Sequence, residues 1–371
     1  MRISFLLTKC TPDNGHGRYV IELARRLAEN HSIKVYAGEF WRPLQSIATC
    51  RLLPVLQRPA FTRLASLWVG SLVAVDRDSA DIVHVQGADA PIGNVVTAHY
   101  CNEAVRALND SNQDFYQRFN SALGSAVEKH CFTRSSARRI IAVSNMVREE
   151  IVALYGVDAG RVNVLHHGVD IEAFHPANRD RWRDAVRESQ GVGVEEFVVL
   201  FVGGDYQRKG LLTLLGAIRQ LPKRVKVIAV GIKPDARLAT VLSEQALQTR
   251  ISLVAPTVDL APFYAAADCF VLPTRYDTFS LATLEAMASG LPVVVSRRAG
   301  VCEILSHQVD SLLLEDPANS EELARILSGL LTEEPSRVRL GVNARVTATW
   351  HSWDRVVRET LEVYREVATL S

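Results

Sequence analysis

The stretch Phe197-Val-Val-Leu-Phe-Val-Gly-Gly-Asp-Tyr-Gln-Arg-Lys-Gly210-Leu-Leu-Thr-Leu-Leu-Gly-Ala-Ile-Arg-Gln220 decides the fold. The short apolar run Phe197–Val202 reads as a strand, the glycine and basic residues after it as a turn, and Leu211–Gln220 as a helix. The same unit recurs outward in both directions. Downstream, strands are expected at Val225–Val230, Ile251–Val254, Cys269–Leu272, Pro292–Val295 and Ser311–Leu314. Upstream, they are expected at Ile3–Leu7, Ile33–Tyr36, Asp81–Val85, Asn94–Ala98 and Ile140–Val143, with helices that include Tyr19–Glu29 and Asn120–Thr133. β-Branched runs alternating with amphipathic segments predict parallel sheets wrapped by helices, and two complete α/β sheets fit better than one. Between the two series lies Val164-Leu-His-His-Gly-Val-Asp-Ile-Glu-Ala-Phe-His-Pro176, turn chemistry without a regular period, where the domain boundary is expected. The predicted domains are 1–168, completed by a C-terminal helix within 353–371 that offers Val356, Val357, Leu361, Val363 and Tyr364 for burial, and 169–350.

A length of 371 residues suits two domains, and 48% hydrophobic with 22% charged residues is enough to bury a large core. Lys and Arg number 42 against 41 acids, a formal charge of +1, which argues against a protein that coats nucleic acid. Cys10, Cys50, Cys101, Cys131, Cys269 and Cys302 are scattered, with no C-x-x-C pair and no zinc-type spacing, so reduced and mostly buried thiols are expected. The apolar run Ile3 to Leu7 ends at Lys9, too short for a signal-peptide core. Leu64 to Val75 falls short of the ~20 residues that span a bilayer. A cytoplasmic location is expected.

Three constellations carry chemistry. Gly15-His16-Gly17-Arg18-Tyr19-Val20 follows the first strand and opens a helix, so its N–H groups and helix dipole can hold a phosphate or a sugar hydroxyl. It is a near miss for the dinucleotide fingerprint, with Glu39 after the second strand as the candidate ribose acid. Val20 replaces the third glycine, however, and Lys9 to Asn14 separate strand from turn. A plain structural turn and a ligand loop of another kind both stay open. In the second cluster, Gly203 and Gly204 with Arg208 and Lys209 offer what a diphosphate needs, close backbone donors and positive charge; a solvated turn with water-facing cations is the alternative. In the third, Pro273-Thr-Arg-Tyr-Asp277-Thr-Phe-Ser-Leu-Ala-Thr-Leu-Glu285-Ala-Met-Ala-Ser-Gly-Leu-Pro292, an acid on a loop precedes by eight positions an acid on the helix that the loop feeds. The helix N-terminus offers N–H groups to a phosphate while Asp277 and Glu285 accept hydrogen bonds from sugar and ribose hydroxyls. Taken singly, Asp277 reads as a helix cap and Glu285 as a surface residue.

With these residues the chain resembles the retaining glycosyltransferases of the GT-B fold, family 4 (group 1), and somewhat the lipopolysaccharide core glucosyltransferases. The resemblance runs through the glycine loop, Ala80-Asp-Ile-Val-His-Val-Gln-Gly87, Val96-Thr-Ala-His99, His167-Gly-Val-Asp170, Arg208-Lys-Gly210, the Asp277 and Glu285 motif, and the closing Ser352-Trp-Asp. It implies two Rossmann-like doubly wound domains facing each other across a cleft, the first on the acceptor side and the second binding the donor. The donor is expected to be a nucleotide sugar, a UDP-sugar first, and the acceptor a glycan, glycolipid or lipopolysaccharide-type hydroxyl. In the implied assignment Arg208 and Lys209 neutralise the diphosphate leaving group and Glu285 grips the ribose. Asp277 and the backbone of Phe279, Ser280 and Leu281 hold donor-sugar hydroxyls and the distal phosphate. His99 reaches the donor sugar, its alternative being a satisfied core histidine, and Gly17 lets its loop approach the diphosphate or acceptor.

The chain departs from the family in three places. Asp277 stands for the usual Glu, one methylene shorter, which puts the sugar in doubt. Gly204 occupies the place of a common arginine, leaving Arg208 as the cation that partners Lys209. His167 replaces a linker asparagine, with an effect expected on hinge geometry alone. No cofactor and no metal is expected; Asp76-Arg-Asp78 spells the D-x-D signature of a different glycosyltransferase fold but precedes a strand and reads as a solvated turn. No covalent sugar intermediate is suggested by any carboxylate pair, so the resemblance implies front-face transfer with retention. From Phe40 to Val75 the chain carries Arg42, Arg51, Arg58 and Arg63 with no acid, interleaved with Trp41, Phe61 and Trp68. This segment either rests on an anionic membrane at the inner face of the cell or packs its apolar side chains into the first domain. A sugar phosphorylase, a nucleotide-sugar epimerase and a non-catalytic partner subunit are the competing readings of the whole chain.

Overall fold

The computed structural model describes residues 1–56, 60–75, 79–109, 115–134 and 136–369. The chain divides into two compact units, Met1–His167 with Trp353–Ser371, and Gly168–Ser352. The first unit is built on a parallel sheet of β1 (Arg2–Leu6), β2 (Ser32–Ala37), β3 (Thr49–Leu52), β4 (Ile82–Gln86), β5 (Val95–Ala98), β6 (Arg139–Ala142) and β7 (Val162–Val164), in the order β3-β2-β1-β4-β5-β6-β7. The second carries β8 (Phe197–Val202), β9 (Val225–Val230), β10 (Ile251–Val254), β11 (Cys269–Leu272), β12 (Val293–Ser296) and β13 (Leu312–Leu314), ordered β10-β9-β8-β11-β12-β13. Every residue of β8, β11 and β12 is buried, as strands covered by helices on both faces must be.

Both orders are doubly wound. The chain starts mid-sheet, winds to one edge, then crosses to the other side, so the loops leaving β1 and β4, and those leaving β8 and β11, diverge at a switch point. Ligands of open α/β sheets bind outside the carboxyl ends of strands at such points. This topology brings the loop before Gly15 beside Gln86, and the Gly203–Gly210 turn beside the Pro273–Asp277 loop.

The strands expected from sequence are present to within a residue or two at each end, and two more exist. β3 and β7 are short edge strands, and β3 is largely exposed, so neither shows the apolar run by which a buried strand is read. All six cysteines are free; Cys10, Cys101, Cys131 and Cys269 are buried. Asp76-Arg-Asp78 and Arg58 lie outside the described residues, as do the side chains of Phe61 and Arg63. Within the rest of that segment, Trp68 is tied inward by its Nε1–H bond to the Ala88 carbonyl (2.9 Å), whereas Arg42, Arg51, Leu52, Leu56, Val69, Leu72 and Val73 are exposed. No helix among the described residues is long and apolar enough to cross a membrane.

One buried acid organises the chain beyond β5. Glu128 Oε2 accepts from the Asn102 N–H (2.6 Å), the first of the helix Asn102–Asn109, and from the Tyr155 hydroxyl (2.7 Å). The Tyr155 oxygen accepts in turn from the Glu103 N–H (3.1 Å). Burial pushes the Glu128 carboxyl up to about 7 despite these donors. A folded-state value above the unfolded one contributes stability that is present in acid and lost as pH rises toward 7. Relative to the native protein, Glu128→Gln is therefore expected to gain stability as pH is raised from 5 to 7.5, by up to about 3 kcal/mol, in denaturant titrations at each pH. Parallel pH profiles for the two proteins would contradict the buried-acid assignment.

Candidate active site

In the second unit the glycine turn is shaped by close approach. Gly210 has φ +82° and a Cβ there would lie 1.9 Å from the Pro273 carbonyl oxygen, so this position admits only glycine. Gly203 serves differently: a Cβ at that position would strike Lys209 Cδ at 2.4 Å, so its absence lets the lysine stem lie across the turn. The lysine ammonium then sits 3.1 Å from Asp277 Oδ2. That contact is ionic only, since Oδ2 has no hydrogen-bond partner with acceptable geometry. Arg208 braces the same two loops. It donates through Nε to Asp205 (2.9 Å) and through Nη1 to the Tyr276 carbonyl (2.7 Å), while its own carbonyl accepts from the Arg275 N–H (2.8 Å). The guanidinium is thus half-buried and partly committed to holding the acid loop, and the lysine is the cation set against the acid.

The acid loop runs from β11 into the helix Leu281–Ala288. Ser280, not Asp277, caps that helix: its Oγ accepts from the Thr283 N–H (3.3 Å) and pairs with Thr283 Oγ1 (2.8 Å). Ser280 does so at φ 83°, a left-handed conformation costly for a residue with a side chain and held by its surroundings. Asp277 is instead pinned by its backbone, its N–H donating to the Arg298 carbonyl (3.1 Å) and its carbonyl accepting from Gly300 (2.8 Å). Phe279 is buried beneath the turn and its carbonyl accepts from Val301 (2.8 Å). Leu281 is the first helical residue, so the backbone of Phe279, Ser280 and Leu281 stands at the positive end of the helix. Glu285, one turn further, is 1% exposed, which rules out the surface-residue reading.

Sequence alone did not reveal what orients Glu285. Tyr264, from the helix Ala261–Ala266, donates its hydroxyl to Glu285 Oε2 (2.9 Å) and approaches the Ala282 carbonyl (3.0 Å). Arg345 holds the far end of the same helix by donating to the Ala288 carbonyl (2.7 Å).

The first unit gathers histidines. Asn14 caps the helix Gly15–Leu27, its side chain accepting from the Gly17 N–H (2.7 Å), and a Cβ at Gly17 would lie 2.3 Å from the Thr11 carbonyl. Gly17 is therefore glycine because its own loop packs on it, a local reason distinct from the ligand approach expected of it. Gly15 has open space around it. The loop presents His16, whose ring stacks on His99 at 4.1 Å and 19°. His167 also stacks on His99 (5.7 Å, 19°), and Tyr19 meets His99 edge-on at 5.3 Å. His167 thus does more than shape a hinge, which corrects the sequence reading. Burial, followed by the neighbouring His16, His167 and His84, holds His99 well below the usual imidazole range. His84, bonded to Tyr364 and Thr97 at 2.6 Å each, is pushed down to about 3 by burial. Among the described residues no group of three or more His, Cys, Asp or Glu is arranged to hold a metal ion.

The two glycines of the turn are expected to respond differently to a methyl group. Gly210→Ala should lower stability by about 2 kcal/mol or more. Gly204→Ala, whose Cβ meets nothing nearer than the Gly231 carbonyl at 3.6 Å, should stay within about 1 kcal/mol of the parent. Thermal unfolding of the two variants side by side checks this, and equal losses would contradict the packing described.

The model described as Glycosyltransferase Family 4 matches residues 13–173, and that described as Glycosyl transferases group 1 matches residues 196–333. A D-inositol 3-phosphate glycosyltransferase of Xylanimonas cellulosilytica is 31% identical over 239 residues, 61% of this chain and 56% of that protein. The chain spans little more than half the length of the first curated relatives it matches. Among solved structures, WaaG, a glycosyltransferase involved in lipopolysaccharide biosynthesis, superposes with a TM-score of 0.85 at 20% identity, covering 98% of this chain and 99% of WaaG. Anabaena HepE in complex with UDP-glucose superposes with a TM-score of 0.78 at 19% identity, covering 99% and 100%. These likenesses establish the fold as GT-B. With one family model on each unit, and between them most of the sequence matched, the chain belongs to the family 4, group 1 glycosyltransferases.

Proposed function

We propose that this protein is a retaining glycosyltransferase that moves a hexosyl unit from a nucleoside-diphosphate sugar, a UDP-sugar first, to a hydroxyl of a glycan, glycolipid or lipopolysaccharide-type acceptor. The observation that carries the reading is the pairing of Lys209 with Asp277 at the carboxyl ends of β8 and β11, beside a helix that is capped by Ser280 and whose first turns carry the buried Glu285. A cation, oriented backbone N–H groups and two acids of separate surroundings are the parts needed to hold a diphosphate, a sugar and a ribose in one line. That HepE is described in complex with UDP-glucose supports the choice of donor.

In this reading the diphosphate lies against Lys209 and the helix N-terminus, with Arg208 contributing charge from the same turn. Glu285, oriented by Tyr264, accepts from ribose hydroxyls, and Asp277 accepts from the sugar. Gly203 and Gly204 give the backbone close access. In the first unit, His99 is a neutral imidazole suited to hydrogen-bond a sugar hydroxyl. The bond from the anomeric carbon to the diphosphate breaks as the bond to the acceptor oxygen forms on the same face, and the acceptor proton passes to the departing phosphate. Charge builds on the leaving group, so a preorganised cation matters more in the transition state than in the ground state. No metal ion or cofactor is needed for these steps, and transfer is expected to persist in excess chelator.

Two acceptor classes stay in play. Exposed Leu52, Leu56, Val69, Leu72 and Val73 near exposed Arg42 and Arg51 favour a glycolipid met at the cytoplasmic face of an anionic membrane. The name of the inositol-phosphate relative favours a soluble phosphorylated polyol. Transfer assays with both acceptor types, with and without anionic vesicles, separate them. Incubation with nucleotide sugar alone screens for epimerase or phosphorylase chemistry. Lys209→Ala is expected to lower the transfer rate by about two to three orders of magnitude, the scale for removing one preorganised donor. Near-normal turnover in that variant would overturn the assignment.

A further inference from the structure

His99 ends at the carboxyl edge of β5, and the first polar group it meets is on the neighbouring strand: Gln86, the last residue of β4 and fully buried, lies with its side-chain Oε1 2.8 Å from His99 Nε2. We propose that Gln86 is the positioning residue for His99, fixing its ring plane and its Nε2–H tautomer so that Nδ1 remains as the acceptor of a hydroxyl proton. The inference rests on the reading of His99 as a working residue of a glycosyltransferase and adds what kind of group it selects.

The chemistry follows from what an amide carbonyl can do. An oxygen that only accepts requires a proton on the facing nitrogen, which leaves Nδ1 with its lone pair in a neutral ring. A carboxylate in the same place would stabilise the imidazolium; an amide gives no such charge pairing. The surroundings agree with neutrality from every side. His16 and His167 both stack on His99, Tyr19 abuts it edge-on, and His84 stands nearby on β4. Two acids act on the cluster, Asp89 on His16 and Glu359 on Tyr19, and neither acts on His99 itself. The Gln86 Nε2 group is buried with no hydrogen-bond partner, so the amide is held in place by packing and by the bond to His99. Because the remaining nitrogen accepts, the ligand group that meets it must be a donor. A sugar hydroxyl satisfies it, whereas the carboxylate of a uronic acid would face a lone pair in a poorly solvated site.

The test reads the imidazole directly. In proton–nitrogen correlation spectra of histidine-labelled protein, the signal lost in His99→Gln is expected to show the Nε2–H tautomer and to stay unprotonated from pH 8 down to 6. In Gln86→Glu the same signal should titrate within that range, its midpoint raised by at least about one pH unit. In Gln86→Met, which keeps the volume and removes the acceptor, the fixed tautomer should give way to a mixture while the thermal unfolding transition stays cooperative. An Nδ1–H tautomer in the native protein, or an unaltered spectrum in Gln86→Met, would overturn the proposal. None of these readouts requires turnover. A fixed tautomer in a protein that transfers no sugar would refute the glycosyltransferase reading and, with it, the selection of a sugar hydroxyl, while the Gln86 and His99 contact stood.

Discussion

The site of the second unit depends on one contact, the 3.1 Å approach of Lys209 to Asp277. A lysine on a flexible stem is a poor place to fix a charge, because ordering its rotamers costs entropy and water screens it. Here both side chains are largely buried, at 18% and 11% exposure, and the loops that carry them are clamped independently of the ion pair. Gly210 lies against Pro273, Arg208 bonds to the Tyr276 carbonyl, and Asp277 is held by backbone bonds to Arg298 and Gly300. The charges meet because the backbones are already in place. Under the proposed function, a nucleoside diphosphate entering the site would encounter a cation whose position has been fixed in advance by folding, which is what electrostatic catalysis requires.

The same economy governs the acids. Asp277 and Glu285 have opposite attachments: one is fixed through its main chain with its carboxylate facing a cation, the other is buried on a helix and oriented by a tyrosine hydroxyl. Two carboxylates in such different surroundings can bind different hydroxyls without competing. In the first unit neutrality replaces charge. His16, His99 and His167 stack so closely that protonating one would burden the others, and the amide of Gln86 completes a surface that hydrogen-bonds without carrying charge. A net charge of +1 for the chain conceals this division into one charged site and one neutral cluster.

What could be read from the sequence was what spacing encodes. The strand-turn-helix grammar around Phe197–Gln220 reported both sheets, and the acid motif with Arg208-Lys-Gly210 reported the turn and the acid loop of the second unit, because each is local in the chain. Contacts between residues far apart in sequence left no such trace. Tyr264 reaches Glu285 across 21 positions and Gln86 reaches His99 across 13; Tyr264 lies in no recognisable pattern, and the stretch Ala80–Gly87 that contains Gln86 does not say which side chain Gln86 meets. Gly17 is required by packing on Thr11, a reason the sequence does not show, since a glycine demanded by its own loop and one left open for a ligand look the same before a helix. The edge strands β3 and β7 were missed because half-exposed pairing does not demand an apolar run.

If Lys209 is the fixed cation and Asp277 its resident counter-charge, removing each should affect nucleotide binding in opposite senses. Calorimetric titration of UDP into the native protein, Lys209→Ala and Asp277→Asn tests this most directly. Affinity is expected to fall by about tenfold or more in Lys209→Ala, the loss of one charge-assisted hydrogen bond, and to hold or rise in Asp277→Asn, where the lysine is released. Equal UDP affinity in all three proteins, or no binding to the native one, would contradict the account.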